Sequence, residues 1–266
     1  MKATLHYLIP TGEKPIYLAS TGGADAQLSI SAEFAEHVVE VHDARQLSPE
    51  ASLDQQGFTL LEQITGIEDF YDFEAVRDRY EAEIRNLILT HTGASNLVIF
   101  DHTLRSDSAE IRRRYGTREA ASVIHNDYTD ASAEIRLRDI LDTEQAEQRL
   151  QRRFAIVNAW RSINHPVESS PLSCCDAQTL SPSDLVASER RASDRIGELE
   201  LVTWNPAHQW YYFPVMQRDE VLLIKTFDTA KDGRARRSIH TAFDNPEAST
   251  EAPPRESIET RALIFW

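Results

Sequence analysis

The second half of the chain is dominated by short strand-like segments with tight turns between them. Residues 198–204, 209–216 and 221–228 are rich in aromatic and β-branched residues. The short segments between them, 205–208 and 217–220, are typical of hairpin connections. Strands that follow one another at this spacing favour a sandwich or a jelly-roll barrel. We therefore predict an α+β, mainly β fold: a double-stranded β-helix (jelly-roll, cupin-like) core with flanking helices.

The first half of the chain mixes strands with helical patterns. Apolar residues recur at three- and four-residue spacing over 73–90, which predicts an amphipathic helix. Residues 96–105 predict a buried strand, the basic segment 106–121 a solvated loop or lid, and the polar segment 180–195 a peripheral stretch. We predict a single domain, 1–266, with an N-terminal α/β portion over about 1–120 and a jelly-roll core over about 121–266.

Composition excludes several classes of partner. The net charge of −15 argues against nucleic acid or an anionic membrane surface as a partner. No apolar run approaches the roughly 18 residues that a membrane-spanning helix needs. The two cysteines, Cys174 and Cys175, are adjacent, which is a poor geometry for a disulfide. These features predict a cytoplasmic protein with a small-molecule substrate, and nothing in them indicates an oligomeric state.

A His-x-Asp pair lies near the start of the strand-rich half. On a strand, His125 and Asp127 would project to the same face. With a distant histidine, for which His240 is the candidate, they would complete a 2-His-1-carboxylate triad that binds Fe(II) and leaves open positions. Taken singly, a hydrogen-bonded core His125 and a surface His240 remain the simpler interpretations.

A second motif follows the distal histidine. A metal-bound 2-oxo acid presents a free carboxylate at its far end, and Arg255 and Ser257 would offer a guanidinium and a hydroxyl to it from one face of the last strand. Arg261, on the same strand, is the rival for Arg255. The ordered set of His-x-Asp, distal His and Arg-x-Ser is more specific than any one of its parts. It predicts Fe(II), 2-oxoglutarate and O2 as cofactor and co-substrates.

Further polar and aromatic residues are candidates for the pocket walls. A polar Asn158 among large apolar residues suggests a co-substrate contact, although a core asparagine bonded to the backbone would give the same pattern. The candidates for substrate contact, each of which could equally serve core packing or a structural ion pair, are Trp160, Arg161, Tyr211, His102 and Arg105.

Several segments together resemble the fungal hydroxylase/desaturase group, which includes gibberellin desaturase-like enzymes and the CmcJ-like protein of cephamycin biosynthesis. The resemblance spans nearly the whole chain and therefore concerns one domain. It is carried by residues 43–45, 100–103, 123–129, 155–161, 171–177, 204–228 and 255–261.

The resemblance implies an Fe(II)- and 2-oxoglutarate-dependent enzyme of secondary metabolism that hydroxylates, desaturates or cyclises a small metabolite and releases succinate and CO2. It implies His125, Asp127 and His240 as metal ligands and Arg255 as the 2-oxoglutarate anchor. The segment between His240 and Arg255 is longer than is common in related oxygenases, so Arg261 stays open as the alternative. Two rival functions are a cupin-like oxygenase that does not use 2-oxoglutarate and a non-catalytic jelly-roll binding protein.

Overall fold

The computed structural model describes residues 1–192 and 195–266, which form two β-sheets with helices packed against them. The strands of the first half are β1 (Lys2–Ile9), β2 (Ile16–Leu18), β3 (Ser29–Ile30), β4 (Glu33–Asp43), β5 (Phe58–Glu62), β6 (Asn96–Ser106) and β7 (His125–Asn126). Those of the second half are β8 (Phe154–Ser162), β9 (Leu172–Cys175), β10 (Leu185–Arg191), β11 (Ile196–Val202), β12 (Trp210–Tyr212), β13 (Glu220–Asp228), β14 (His240–Ala242) and β15 (Glu256–Phe265). The α-helices are α1 (Phe73–Thr92), α2 (Ala109–Tyr115), α3 (Asp130–Ile140) and α4 (Thr143–Leu150).

The chain winds back and forth between the two sheets. The five-stranded sheet has the order β5-β13-β8-β15-β6, and the ten-stranded sheet contains the run β12-β9-β14-β7. Along the chain, four strands of the five-stranded sheet (β6, β8, β13 and β15) therefore alternate with strands of the ten-stranded sheet. These are β7, then β9 and β12, which pair with each other, and then β14. This alternation is the winding of a double-stranded β-helix. The predicted fold class is confirmed.

The five-stranded sheet separates two apolar layers. On its outer face, α1 inserts Tyr80, Ile84 and Ile88 against Val157 and Ile264 of the central strands. Its inner face points into the barrel, with aromatic clusters at both ends and polar side chains between them. This division leaves the middle of the barrel for a polar site.

Two predicted segments differ from the structure. The basic segment 106–121 contains the short helix α2, which Ser108 caps by accepting a hydrogen bond from the amide of Ile111. The polar segment 180–195 contains β10, which pairs antiparallel with β11. The many charged residues of this hairpin obscure the alternation of polar and apolar residues that would predict strands. Because β11 pairs with β7, the hairpin lies beside the strand that carries His125.

In the part of the chain that the structure describes, no helix is both long enough and apolar enough to span a lipid bilayer.

The packing of α1 predicts a matched pair of stability changes. Ile84 is 0% exposed, whereas Ile135 on α3 is 53% exposed. We expect Ile84→Ala to lower the free energy of unfolding by about 3 kcal/mol, because it leaves a cavity against the sheet. Ile135→Ala should change it by less than about 0.5 kcal/mol. Urea unfolding followed by circular dichroism measures both, and equal losses would contradict this packing.

Candidate metal centre

The two histidines of the candidate site face each other across adjacent strands. Backbone pairing of β14 with β7 places His240 directly opposite His125, with ring centroids 4.5 Å apart. Asp127 follows β7, and one ligand atom from each of the three residues lies within 4.8 Å of the others. The structure thus brings together side chains that lie far apart in sequence.

Hydrogen bonds fix both imidazoles in the same tautomer. His125 Nδ1 donates to the carbonyl oxygen of Val123 at 2.7 Å, and His240 Nδ1 donates to that of Ser238 at 3.1 Å. Each Nε2 is then left with a free lone pair, as a metal ligand requires. Burial, together with the neighbouring His240 ring, lowers the pKa of His125 to about 3, so this ring is neutral at physiological pH.

Asp127 is held with one oxygen towards the histidines. Its Oδ1 lies 3.6 Å from His125 Nε2. Its Oδ2 accepts hydrogen bonds from Asn158 Nδ2 at 2.7 Å and from Arg261 Nε at 3.0 Å. Although burial opposes ionisation, Arg261 and the two imidazoles hold the pKa of Asp127 well below its usual range. The carboxylate is therefore ionised and oriented to offer one oxygen.

Arg261 forms ion pairs with three carboxylates. Besides Asp127, it contacts Asp101 Oδ2 through Nη1 at 2.5 Å and Glu259 Oε2 through Nη2 at 2.8 Å. Burial favours its neutral form, but Glu259, Asp127 and Asp101 raise its pKa well above the usual value. These contacts occupy all three nitrogens of the guanidinium group.

Arg255 and Ser257 carry unused donors. Arg255 is 3% exposed and donates from Nη1 to the carbonyl oxygen of Ser170 at 2.8 Å, with its Cζ 5.9 Å from the centre of the Trp160 ring. Arg255 Nε and Ser257 Oγ are buried and have no hydrogen-bond partner among the described residues. A buried donor without a partner costs about 1–3 kcal/mol. An added carboxylate would satisfy both groups.

Among the remaining candidates, some share the inner face of the barrel and others do not. Cys174 pairs with both His240 and Tyr211, so Tyr211 lies in the same row of the sheet as the histidines. Arg105 lies opposite Ser257 on the neighbouring strand. Their side chains therefore face the barrel interior with Trp160 and Asn158.

Arg161 and His102 are directed away from this interior. The guanidinium of Arg161 donates to Gln63 Oε1 at 2.6 Å and to the carbonyl oxygen of Arg218 at 3.1 Å. His102 bonds to Thr260 Oγ1 at 2.9 Å and to Glu81 Oε1 of α1 at 3.0 Å. These partners lie on the outer side of the five-stranded sheet, so the structure does not bring the two residues to the site.

Sequence reasoning missed Glu259. Its carboxylate accepts from Asn158 Nδ2 at 2.6 Å and from Arg261 Nη2 at 2.8 Å, which joins both residues around Asp127. The signal was available: Glu259 lies midway between Ser257 and Arg261, and residues two apart on a strand share a face.

Comparison with known proteins agrees with this geometry. A family model described as an oxidoreductase/YMDC permease-like domain matches residues 5–265. The hydroxylase/desaturase efuI of Hormonema carpetanum is 35% identical over 250 residues, covering 86% of this chain and 83% of that protein. The Fe(II)/2-oxoglutarate-dependent dioxygenase nvfI of Aspergillus novofumigatus is 33% identical over 239 residues, with coverage of 86% and 83%.

The fold also matches a solved structure. The iron and alpha-ketoglutarate-dependent endoperoxidase NvfI superposes with a TM-score of 0.85 at 27% identity, covering 100% of this chain and 97% of that one. The resemblance inferred from the sequence and its cofactors, Fe(II), 2-oxoglutarate and O2, are thereby confirmed. The chain belongs to this oxidoreductase family and, within it, is an Fe(II)- and 2-oxoglutarate-dependent oxygenase of the hydroxylase/desaturase type.

Proposed function

We propose that His125, Asp127 and His240 bind the Fe(II) ion. The single observation that carries this assignment is the convergence of their ligand atoms within 4.8 Å of one another. The two bare Nε2 atoms and the anionic Oδ1 form the nitrogen and oxygen donor set of the facial triad. These three residues would hold the ion and would leave its other positions open to the co-substrates.

Arg255 and Ser257 bind the far carboxylate of 2-oxoglutarate in this proposal. Their buried, unpartnered Nε and Oγ atoms match a carboxylate acceptor. Arg261 has no free nitrogen for the same task, because it already contacts Asp127, Asp101 and Glu259. We assign Arg261 and Asn158 to positioning Asp127, and thus decide the choice left open by the sequence in favour of Arg255.

The bound ion and 2-oxoglutarate together supply O2-dependent oxidative decarboxylation, which yields succinate, CO2 and the oxidising power for the substrate. The protein contributes orientation and the exclusion of water. Trp160 is 4% exposed and lies beside Arg255, so it shields the proposed carboxylate pocket from solvent. Tyr211 and Arg105 line the same interior and are available to contact the substrate.

The substrate is a small metabolite of secondary metabolism in this proposal, and its conversion is a hydroxylation, a desaturation or a ring closure. The named relatives, a hydroxylase/desaturase and a dioxygenase, support it. We propose one catalytic domain over residues 1–266, since β1 and β4 of the N-terminal portion extend the ten-stranded sheet beside β12. The net charge of −15 argues against nucleic-acid and anionic-membrane partners, and we propose that the enzyme is cytoplasmic.

Optical spectroscopy tests the proposed centre. Anaerobic protein with Fe(II) and 2-oxoglutarate should show a weak visible metal-to-ligand charge-transfer band. His240→Ala should abolish the band, because it removes a ligand. His6→Ala is the control, since that side chain is 42% exposed on β1, and it should retain the band. Iron binding without a band would contradict 2-oxoglutarate binding at this centre, and failure to bind iron would refute the proposed centre.

Substitution of lysine at Arg255 and at Arg261 should weaken the binding of different ligands. Arg255→Lys should weaken 2-oxoglutarate binding by about tenfold, since lysine cannot present the guanidinium fork. It should leave iron affinity unchanged. Arg261→Lys should instead weaken iron binding by about tenfold or more, because Asp127 loses its orienting partner. Titrations of iron and of 2-oxoglutarate measure the two constants, and the reverse pattern would assign the anchor to Arg261.

A further inference from the structure

An arginine-lined cavity of about 120 Å³ lies beside the candidate metal centre. Asp127 and Arg261 line one side of it. The other side is lined by four half-buried arginines from four separate parts of the fold: Arg118 between α2 and β7, Arg136 of α3, Arg190 of β10, and Arg195 before β11. We call this set the arginine cavity.

Within residues 1–192 and 195–266, the structure shows no acidic partner for the four arginines. Among the described residues, no carboxylate oxygen lies within 4.0 Å of their guanidinium nitrogens. The carboxylates that line the cavity are engaged elsewhere. Asp101 and Asp127 pair with Arg261, and Glu198 pairs with Lys14. In a chain with a net charge of −15, four arginines without an acidic partner among the described residues form a local concentration of positive charge.

The arginines are close enough to repel one another. Burial and the charges of Arg105 and Arg190 lower the pKa of Arg118. Burial and the charges of Arg136 and Arg190 likewise lower that of Arg195. Arg136 lies over the Phe100 ring with its Cζ 4.8 Å from the ring centre, and its buried Nε has no hydrogen-bond partner among the described residues. An anion in the cavity would relieve the repulsion and satisfy this donor.

We propose that the arginine cavity binds a carboxylate group of the organic substrate and so holds the substrate beside the metal. This inference rests on the proposed function, since Asp127 is taken as a metal ligand. The cavity has the volume of about four waters, at roughly 30 Å³ each. It has room for a carboxylate with its neighbouring carbon. The co-substrate carboxylate has its own unpartnered donors at Arg255 and Ser257.

Fluorine NMR with fluoroacetate as the probe tests this proposal. Fluoroacetate is small enough for the cavity, and the similarly shaped fluoroacetamide differs from it chiefly in lacking the charge. Wild-type protein, with Zn(II) as a redox-silent metal and excess 2-oxoglutarate, should bind fluoroacetate but not fluoroacetamide. Arg136→Gln and Arg195→Gln should each weaken binding by about tenfold, as expected for the loss of a charge-assisted hydrogen bond. Arg113→Gln, an equal charge change on the exposed face of α2, should have no effect.

Each alternative result has a distinct meaning. Absence of binding to wild-type protein, or equal binding to all variants, would overturn the proposal. Fluoroacetate binding that occurs only when 2-oxoglutarate is omitted would assign the cavity to the co-substrate and would also overturn the proposal. The charge-transfer band of the Fe(II) protein separates the two proposals. A missing band with arginine-dependent fluoroacetate binding would refute the proposed function alone, while a normal band without such binding would refute the carboxylate site alone.

Discussion

The ionic network around Arg261 is the interaction on which the rest of the site depends. One guanidinium links Asp101 of β6, Glu259 of its own strand and Asp127 beyond β7, and therefore ties the two sheets together at the level of the histidines. Loss of one partner from such a buried network costs about 3–5 kcal/mol, because the remaining charges lie unpaired in a low-dielectric interior. Since Asp127 Oδ2 is held in this way, only Oδ1 is available to a metal. The network thus couples the closure of the barrel to the geometry of its centre.

The parts of the structure that follow a regular period could be predicted from the sequence. The 3.6-residue pattern predicted α1, and β6 (Asn96–Ser106) has the position predicted for a buried strand over 96–105. The order of His-x-Asp, distal histidine and Arg-x-Ser gave the residues that the fold brings together. The helical period and the His-x-Asp and Arg-x-Ser spacings are local signals that can be read without the tertiary structure, whereas the distal histidine was found from its order in the chain.

Alternation along a strand also explains where sequence reasoning failed. Trp160 and Arg161 are neighbours on β8, so only one of them can face the barrel interior, and the structure directs Arg161 outwards. His102 and Arg105 are three apart on β6 and likewise point to opposite faces. Applying the two-residue period to each strand would have removed one member of each pair. The arginine cavity, by contrast, is assembled from four distant segments, and no spacing in the sequence predicts it.

The hairpin of β10 and β11 lies outside the eight strands that wind into the barrel, yet it contributes Arg190 and the wall beside β7. None of the candidate metal or 2-oxoglutarate ligands is on it. If the arginine cavity binds the molecule to be oxidised, part of its recognition lies on a stretch of chain that is separate from the metal and 2-oxoglutarate ligands. Divergence of the hairpin could redirect such an enzyme to a new metabolite while the oxidising centre is preserved, and relatives that share the barrel should vary most in this insertion.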